Sequence, residues 1–175
     1  MALSEHETVS DRGPSDPRTV FATLAKQGVD FVVIGGWAVI AHGSTRNTLD
    51  VDVIAAGHHA NLVRLAAAAA ELGAERLDAG AARPRTALDA RTLANGGNFT
   101  LATSAGGLDV FIEVPGGPTY ESVRARSAPV DLGDGLQIHI AGIDDLIAMK
   151  RAAGRPRDIE DIATLTHIER ERRGG

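Results

Sequence analysis

The clearest pattern in the chain is Leu49-Asp50-Val51-Asp52-Val53-Ile54. Its alternation predicts a strand with apolar side chains towards the core and two carboxylates on the other face. Val29 to Ile34 is a continuous apolar, β-branched run, as expected of a buried strand. Gly35-Gly36 then predicts a sharp turn, and Trp37 to Ala41 a short helix. Upstream, Asp16 caps and Pro17 opens a helix running to about Gln27, with Val20, Phe21, Leu24 and Ala25 on its apolar face and Gly28 as its stop. His58 to Leu72 is an Ala-rich helix ended by Gly73. Asn98 to Thr103 and Leu108 to Val114 read as strands joined through Ala105-Gly106-Gly107. A short helix from Thr119 to Arg126 follows Pro115-Gly116-Gly117-Pro118. Val130 to Leu132 and Leu136 to Ile140 form a hairpin around Gly133-Asp134-Gly135. Two helices, Ile143 to Ala153 and Arg157 to about Arg172, close the chain, the second carrying Ile159, Ile162, Leu165 and Ile168 on one stripe. Residues 74 to 96, with Gly80 and Pro84, predict loops with a short strand or helical turn. The sum is an α/β (α+β) fold: a mixed sheet of four to five strands, packed helices and a C-terminal helical pair at about 143–172. Residues 1–15, rich in Ser, Glu, Asp and Pro, read as a flexible arm ahead of a single domain at 16–175.

Composition narrows the class. The 175 residues are 43% hydrophobic and 23% charged, enough to bury a core. Cysteine is absent, which excludes disulfides and thiolate metal sites. The apolar runs are too short to span a bilayer, so no membrane partner is expected. The polar, acidic N-terminus lacks the apolar segment of a signal peptide, and a cytoplasmic protein is expected. The formal net charge of -5 argues against a sequence-independent grip on duplex nucleic acid. Only Lys26 and Lys150 are lysine among the 18 basic residues.

The candidate chemistry lies in three places. Asp50 and Asp52 on one strand face would stand about 6.6 Å apart, at about 3.3 Å per residue. Carboxylates that close repel each other unless a cation lies between them, and hard oxygen ligands suit Mg²⁺. Two solvated acids on an exposed face would give the same pattern. Asp109, alone in Leu108-Asp109-Val110-Phe111, is either a strand-end acid capping a turn or a third carboxylate carried to the same face, as a two-metal phosphoryl-transfer site requires. Gly35-Gly36 is either an ordinary tight turn or a place where a triphosphate approaches backbone N–H groups.

Order and spacing join these pieces. The stretch VIGGWAVIAHGSTRNTLDVDVI, with thirteen residues between the Gly pair and Asp50, followed by GGLDVFIEV, resembles the DNA-polymerase-β-like nucleotidyltransferase superfamily. The Gly-Gly form, with R-x-T before D-x-D, is similar to the small bacterial branch that includes aminoglycoside and lincosamide nucleotidyltransferases and the abortive-infection or toxin-type enzymes. Lys150, then Gly154-Arg155-Pro156-Arg157-Asp158 and Asp161, resembles the K…R…RD…D segment of the toxin-type branch.

The resemblance implies a role for each residue. Gly35 and Gly36 cradle the β- and γ-phosphates. Many members carry Ser at the second position, so here that contact falls to backbone N–H groups or to Ser44, Thr45 or Arg46. Asp50, Asp52 and Asp109 hold two Mg²⁺, and Asp109 also orients or deprotonates the acceptor hydroxyl. Arg46 clamps the triphosphate, Thr48 of the R-x-T joins the nucleotide-binding set, and Lys150 reaches the phosphates. Asp158 faces the site, whereas Asp161 serves as a structural partner of Arg155 or Arg157. The co-substrate is an NTP. The K…R…RD…D segment favours the toxin-type reading, in which the acceptor is tRNA or protein; a small-molecule acceptor, as in the antibiotic-type enzymes, is the alternative. A non-catalytic nucleotide-binding antitoxin or sensor of the same fold is a third reading. A cognate antitoxin or a second copy of the chain are the candidate protein partners. The remaining polar candidates read as structural: His58-His59 as a helix start, His42 and Trp37 as packing.

Overall fold

The computed structural model describes residues 15–77 and 88–174. The expected N-terminal arm, apart from Ser15, and the Gly80 and Pro84 loop lie outside the described residues. The elements, in chain order, are α1 (Pro17–Lys26), β1 (Phe31–Ile34), α2 (Gly35–Ala41), β2 (Val51–Ala55), α3 (His59–Glu71), β3 (Glu75–Arg76) and α4 (Ala90–Leu93). Then follow β4 (Asn98–Thr103), β5 (Gly106–Phe111), α5 (Tyr120–Arg126), β6 (Ala128–Asp131), β7 (Gln137–Ile140), α6 (Ile143–Ala153) and α7 (Pro156–Gly174).

The helix starts follow local chemistry. Asp16 accepts the Thr19 N–H at 3.1 Å and the Thr19 hydroxyl at 2.6 Å, with Pro17 in the first turn where no N–H is needed. His58 accepts the Asn61 N–H, which makes the His58-His59 pair a helix start. The last helices are joined by Gly154 in the left-handed region, φ +62°.

The strands form one mixed seven-stranded sheet in the order β3-β4-β5-β2-β1-β7-β6. The neighbours β1–β2, β3–β4, β4–β5 and β6–β7 are antiparallel, while β2–β5 and β1–β7 are parallel. The count exceeds the expected four to five. Glu75–Arg76 adds an edge strand of two residues, and the β6–β7 hairpin attaches through the single parallel pair Val33↔Ile140. The hairpin and a short strand after residue 74 match the expected elements; what exceeds expectation is that both join the central sheet.

Two glycine pairs behave differently from expectation. Gly35-Gly36 forms the first residues of α2 rather than a separate turn. Gly106 and Gly107 belong to β5, and the chain reverses at Ser104-Ala105. A side chain at Gly106 would press on the backbone of Ser15, whose neighbour Asp16 donates its N–H to Ala105 O at 2.9 Å. Glycine at 106 thus leaves room for the entry into α1.

One face of the central strands is a continuous apolar layer. Val33 pairs with Val53, Val51 with Leu108, Val53 with Val110, and Phe99 with Val110, all buried. Helix α1 packs on α3, α3 on α4, and α6 on both α2 and α7. No helix among the described residues is long and apolar enough to cross a membrane.

Asn61 joins α3 to the start of β1 and the end of β2. Its side chain is 0% exposed. Its Nδ2 donates to Asp30 O at 3.0 Å and Ala56 O at 2.9 Å, and its Oδ1 accepts the Asp30 N–H at 2.7 Å. Truncation would strand these backbone groups inside the protein. Asn61→Ala is expected to cost about 2 kcal/mol, read as a lower urea midpoint at unchanged slope; an unchanged midpoint would show that Asn61 is not a tie.

Candidate active site

The opposite face of the same strands carries the acids. The parallel register pairs Asp52 directly with Asp109, and the antiparallel register pairs Asp52 with Ile34, the residue before Gly35. Adjacent strands lie about 4.8 Å apart, so the two carboxylates are neighbours across the ladder. Asp50 lies just ahead of β2, near enough for its charge to act on Asp52.

Asp52 is the electrostatic centre of this group. Burial and then the Asp109 charge push its carboxyl from 3.8 up to about 6, with a further rise from Asp50. A hydrogen bond from the Gly36 N–H and the charge of Lys150 oppose that rise without cancelling it.

The glycines are explained by what stands over them. Gly35 has φ +63°, and a Cβ there would overlap the Asp52 carboxylate. A Cβ at Gly36 would collide with the hydroxyl and Cβ of Thr48. The Thr48 side chain thus fills the space that a serine at position 36 would need.

Cations approach from three other stretches. Lys150 of α6 is buried, donates to Asp161 at 2.6 Å and lies 3.7 Å from Asp158. Arg46, on the loop between α2 and β2, pairs with Asp161 as well. Arg155 donates to Asp158 through its backbone N–H at 3.1 Å and its Nε at 3.0 Å. Burial pushes both acids up, but for Asp161 the hydrogen bonds from Lys150 and Arg46 outweigh it, and for Asp158 those from Arg155. Both carboxyls end below their ordinary range. Asp161 meets both Lys150 and Arg46, while Asp158 is held mainly by Arg155 at the α6–α7 junction. Ser44 accepts the Arg46 N–H at 3.3 Å and so shapes the loop.

A cavity of about 280 Å³ opens onto this group. Asp52, Asn98, Lys150 and Arg155 line its polar side beside Gly35, and Phe111, Leu146 and Met149 form part of its apolar wall. The other polar candidates do local work. His42 bonds Ala141 O at 2.8 Å through Nε2 and meets Arg172 at 3.1 Å through Nδ1. Trp37 is partly buried against the core.

Among the described residues, no three His, Asp or Glu side chains are already drawn into a ready metal cage. The donor set nonetheless fits a hard divalent cation. It is all oxygen, and its central carboxylate is raised first by burial and then by the neighbouring Asp109 charge.

Solved structures share this arrangement of elements. The lincosamide antibiotic adenylyltransferase LnuA, determined with lincomycin bound, matches 89% of this chain and 99% of its own at 14% identity and TM-score 0.56. ANT(2")-Ia, in complex with adenylyl-2"-tobramycin, matches 85% of this chain and 84% of its own at 16% identity and TM-score 0.52. A Thermotoga maritima protein described as a candidate nucleotidyltransferase matches 86% of this chain and 90% of its own at 11% identity and TM-score 0.52. The fold is that of the nucleotidyltransferases. At these identities the likeness is one of fold. No family model matches the sequence, and no curated protein matches it significantly.

The nucleotidyltransferase fold here carries a measurable electrostatic cost. Between pH 3.8 and about 6 native Asp52 holds a proton that the unfolded chain has released. Stability therefore falls as pH rises through that window and stays lower above it. In metal-free buffer, Asp52→Asn is expected to stabilise the protein by about 2 kcal/mol at pH 7.5, with the gain vanishing below pH 3.8. Thermal melts at both pH values check this; an equal or opposite effect at the two would contradict it.

Proposed function

We propose that this chain is a metal-dependent nucleotidyltransferase that moves a nucleoside monophosphate from an NTP to an acceptor hydroxyl and releases pyrophosphate. The observation that carries this reading is the in-register pairing of Asp52 with Asp109 beside the Gly35-Gly36 entry into α2. The fold shared with nucleotidyltransferases supports it.

Asp50, Asp52 and Asp109 would hold two Mg²⁺, which when bound supply charge neutralisation at the attacking and leaving oxygens. The Gly36 N–H holds the Asp52 carboxylate in place. Gly35 and Gly36 let the phosphates approach the backbone, and Thr48 provides the hydroxyl that glycine at 36 lacks. Lys150 and Arg46 offset phosphate charge. Asp109, flanked on its other side by the exposed Thr100, orients the acceptor hydroxyl and takes its proton as the new O–P bond forms and the bond to pyrophosphate breaks.

A small-molecule acceptor is the better supported class. The cavity beside Asp52 is small and largely apolar-walled. Several arginines that a tRNA acceptor would need are already engaged: Arg155 with Asp158, Arg172 with His42, Arg173 with Glu169. The similar proteins whose names state a substrate are described with antibiotics.

The test is transfer of label from each α-labelled NTP, with Mg²⁺, to aminoglycosides, lincosamides, total tRNA or lysate protein. The expected result is a labelled small molecule, lost at least about 10²-fold in Asp52→Ala and Asp109→Ala. Label in tRNA or protein would replace the acceptor class with the toxin-type one. NTP binding without transfer to any acceptor would favour the non-catalytic sensor.

A further inference from the structure

We infer that Asp161 is a positioning residue of the nucleotide pocket, holding Lys150 and Arg46 together as a cationic wall for the substrate's polyphosphate. The inference rests on the nucleotidyltransferase reading above and concerns how that site is assembled.

Three separate stretches meet at this carboxylate. Arg46 comes from the loop that also carries Thr48, Lys150 from α6, and Asp161 from α7. Most of the meeting place is buried: Lys150 and Asp161 are each 8% exposed and Asp158 2%, while the Arg46 side chain keeps 33% of its surface in water. Ionic groups buried to this degree are poor stabilisers, because desolvation consumes most of the attraction and an apolar replacement would pin α7 as well. Their charge is better explained by what the cluster faces. Lys150, Arg46 and Arg155 against Asp158 and Asp161 leave one net positive charge. Lys150 and Arg155 of this cluster line the cavity that holds Asp52 and Gly35, and Arg46 stands behind Lys150 on the shared Asp161.

The division of labour follows from the contacts. Asp158 is occupied by the backbone and side chain of Arg155, three residues earlier, and closes the α6–α7 turn. Asp161 reaches across 115 positions to Arg46 and 11 to Lys150. An ammonium has three N–H donors; Asp161 takes one at 2.6 Å, which leaves capacity towards the cavity. Without the carboxylate, two like charges on long flexible stems repel each other, and both must be ordered again each time substrate binds.

The test compares Asp161→Asn, Asp161→Glu and Asp145→Asn with the unmodified protein. Asp145→Asn removes another buried carboxylate, paired with Arg126 away from the cluster. Binding of inorganic tripolyphosphate is measured by calorimetry, and KM for NTP by label transfer. Asp161→Asn is expected to weaken tripolyphosphate binding and raise KM about tenfold, with kcat within about threefold. Asp161→Glu should recover most of the loss. Asp145→Asn should lower the melting temperature and leave KM unchanged. Adding Asp161→Asn to the Lys150→Met, Arg46→Ala double variant should cause no further loss of tripolyphosphate affinity.

Unchanged or tighter tripolyphosphate binding in folded Asp161→Asn would overturn the inference, as would a further loss on the double-variant background. If the unmodified protein transfers nothing yet binds tripolyphosphate in an Asp161-dependent way, the transferase reading fails and the cationic wall stands. If it binds neither tripolyphosphate nor NTP, the inference falls.

Discussion

The structure turns on one strand pairing. β2 and β5 run parallel in a register that sets Asp52 against Asp109, and β2 is the middle strand of seven. Parallel neighbours cannot be joined by a tight turn, so the chain between them makes an excursion through α3, β3, α4 and β4 before returning. The apolar face of these strands, with Val51, Val53, Leu108 and Val110 buried together, fixes the register. A slip of one residue would turn the acids into the core. The same packing that stabilises the sheet therefore buries Asp52 and sets it beside Asp109, and in that order the two raise its carboxyl.

Much of the surrounding sequence can be understood as the management of that charge. Gly35 is required because the Asp52 carboxylate occupies the place of its side chain, and Gly36 because Thr48 does the same one residue later. The backbone N–H of Gly36 and the ammonium of Lys150 are the nearby groups that favour the ionised carboxylate. Lys150 is itself held by acids on α7, so the C-terminal helical pair is continuous with the site electrostatically as well as sterically. Burial and the neighbouring Asp109 both disfavour the ionised Asp52 carboxylate, a cost that a cation held there would offset.

The sequence made much of this legible. The alternation around Asp50 and Asp52, the β-branched run ending at Ile34, the cap at Asp16 and the stop at Gly73 each report a local rule, and each predicted its element within a few residues. The Asp52–Asp109 register is different. It depends on non-local pairing across more than fifty residues, which no local period encodes, and the resemblance to nucleotidyltransferases supplied it instead. The edge strands were expected as local elements, but their pairing onto the central sheet is again non-local. The reach of Asp161 was readable in principle: Asp158, Asp161, Ile162 and Leu165 follow the i, i+3, i+4, i+7 spacing of one helix face, and acids on an apolar stripe demand buried partners. Which cation they would meet was not readable, because Arg46 and Lys150 arrive from other stretches of the chain.

The central claim is that the paired carboxylates of β2 and β5 form a divalent-cation site next to a phosphate pocket. The most direct measurement is anomalous diffraction from crystals soaked with Mn²⁺ and a non-hydrolysable NTP. The account requires an anomalous peak within coordination distance of both the Asp52 and Asp109 carboxylates, with the triphosphate running towards Gly36 and Lys150. Ordered nucleotide elsewhere on the surface, or Mn²⁺ bound away from both aspartates, would contradict it.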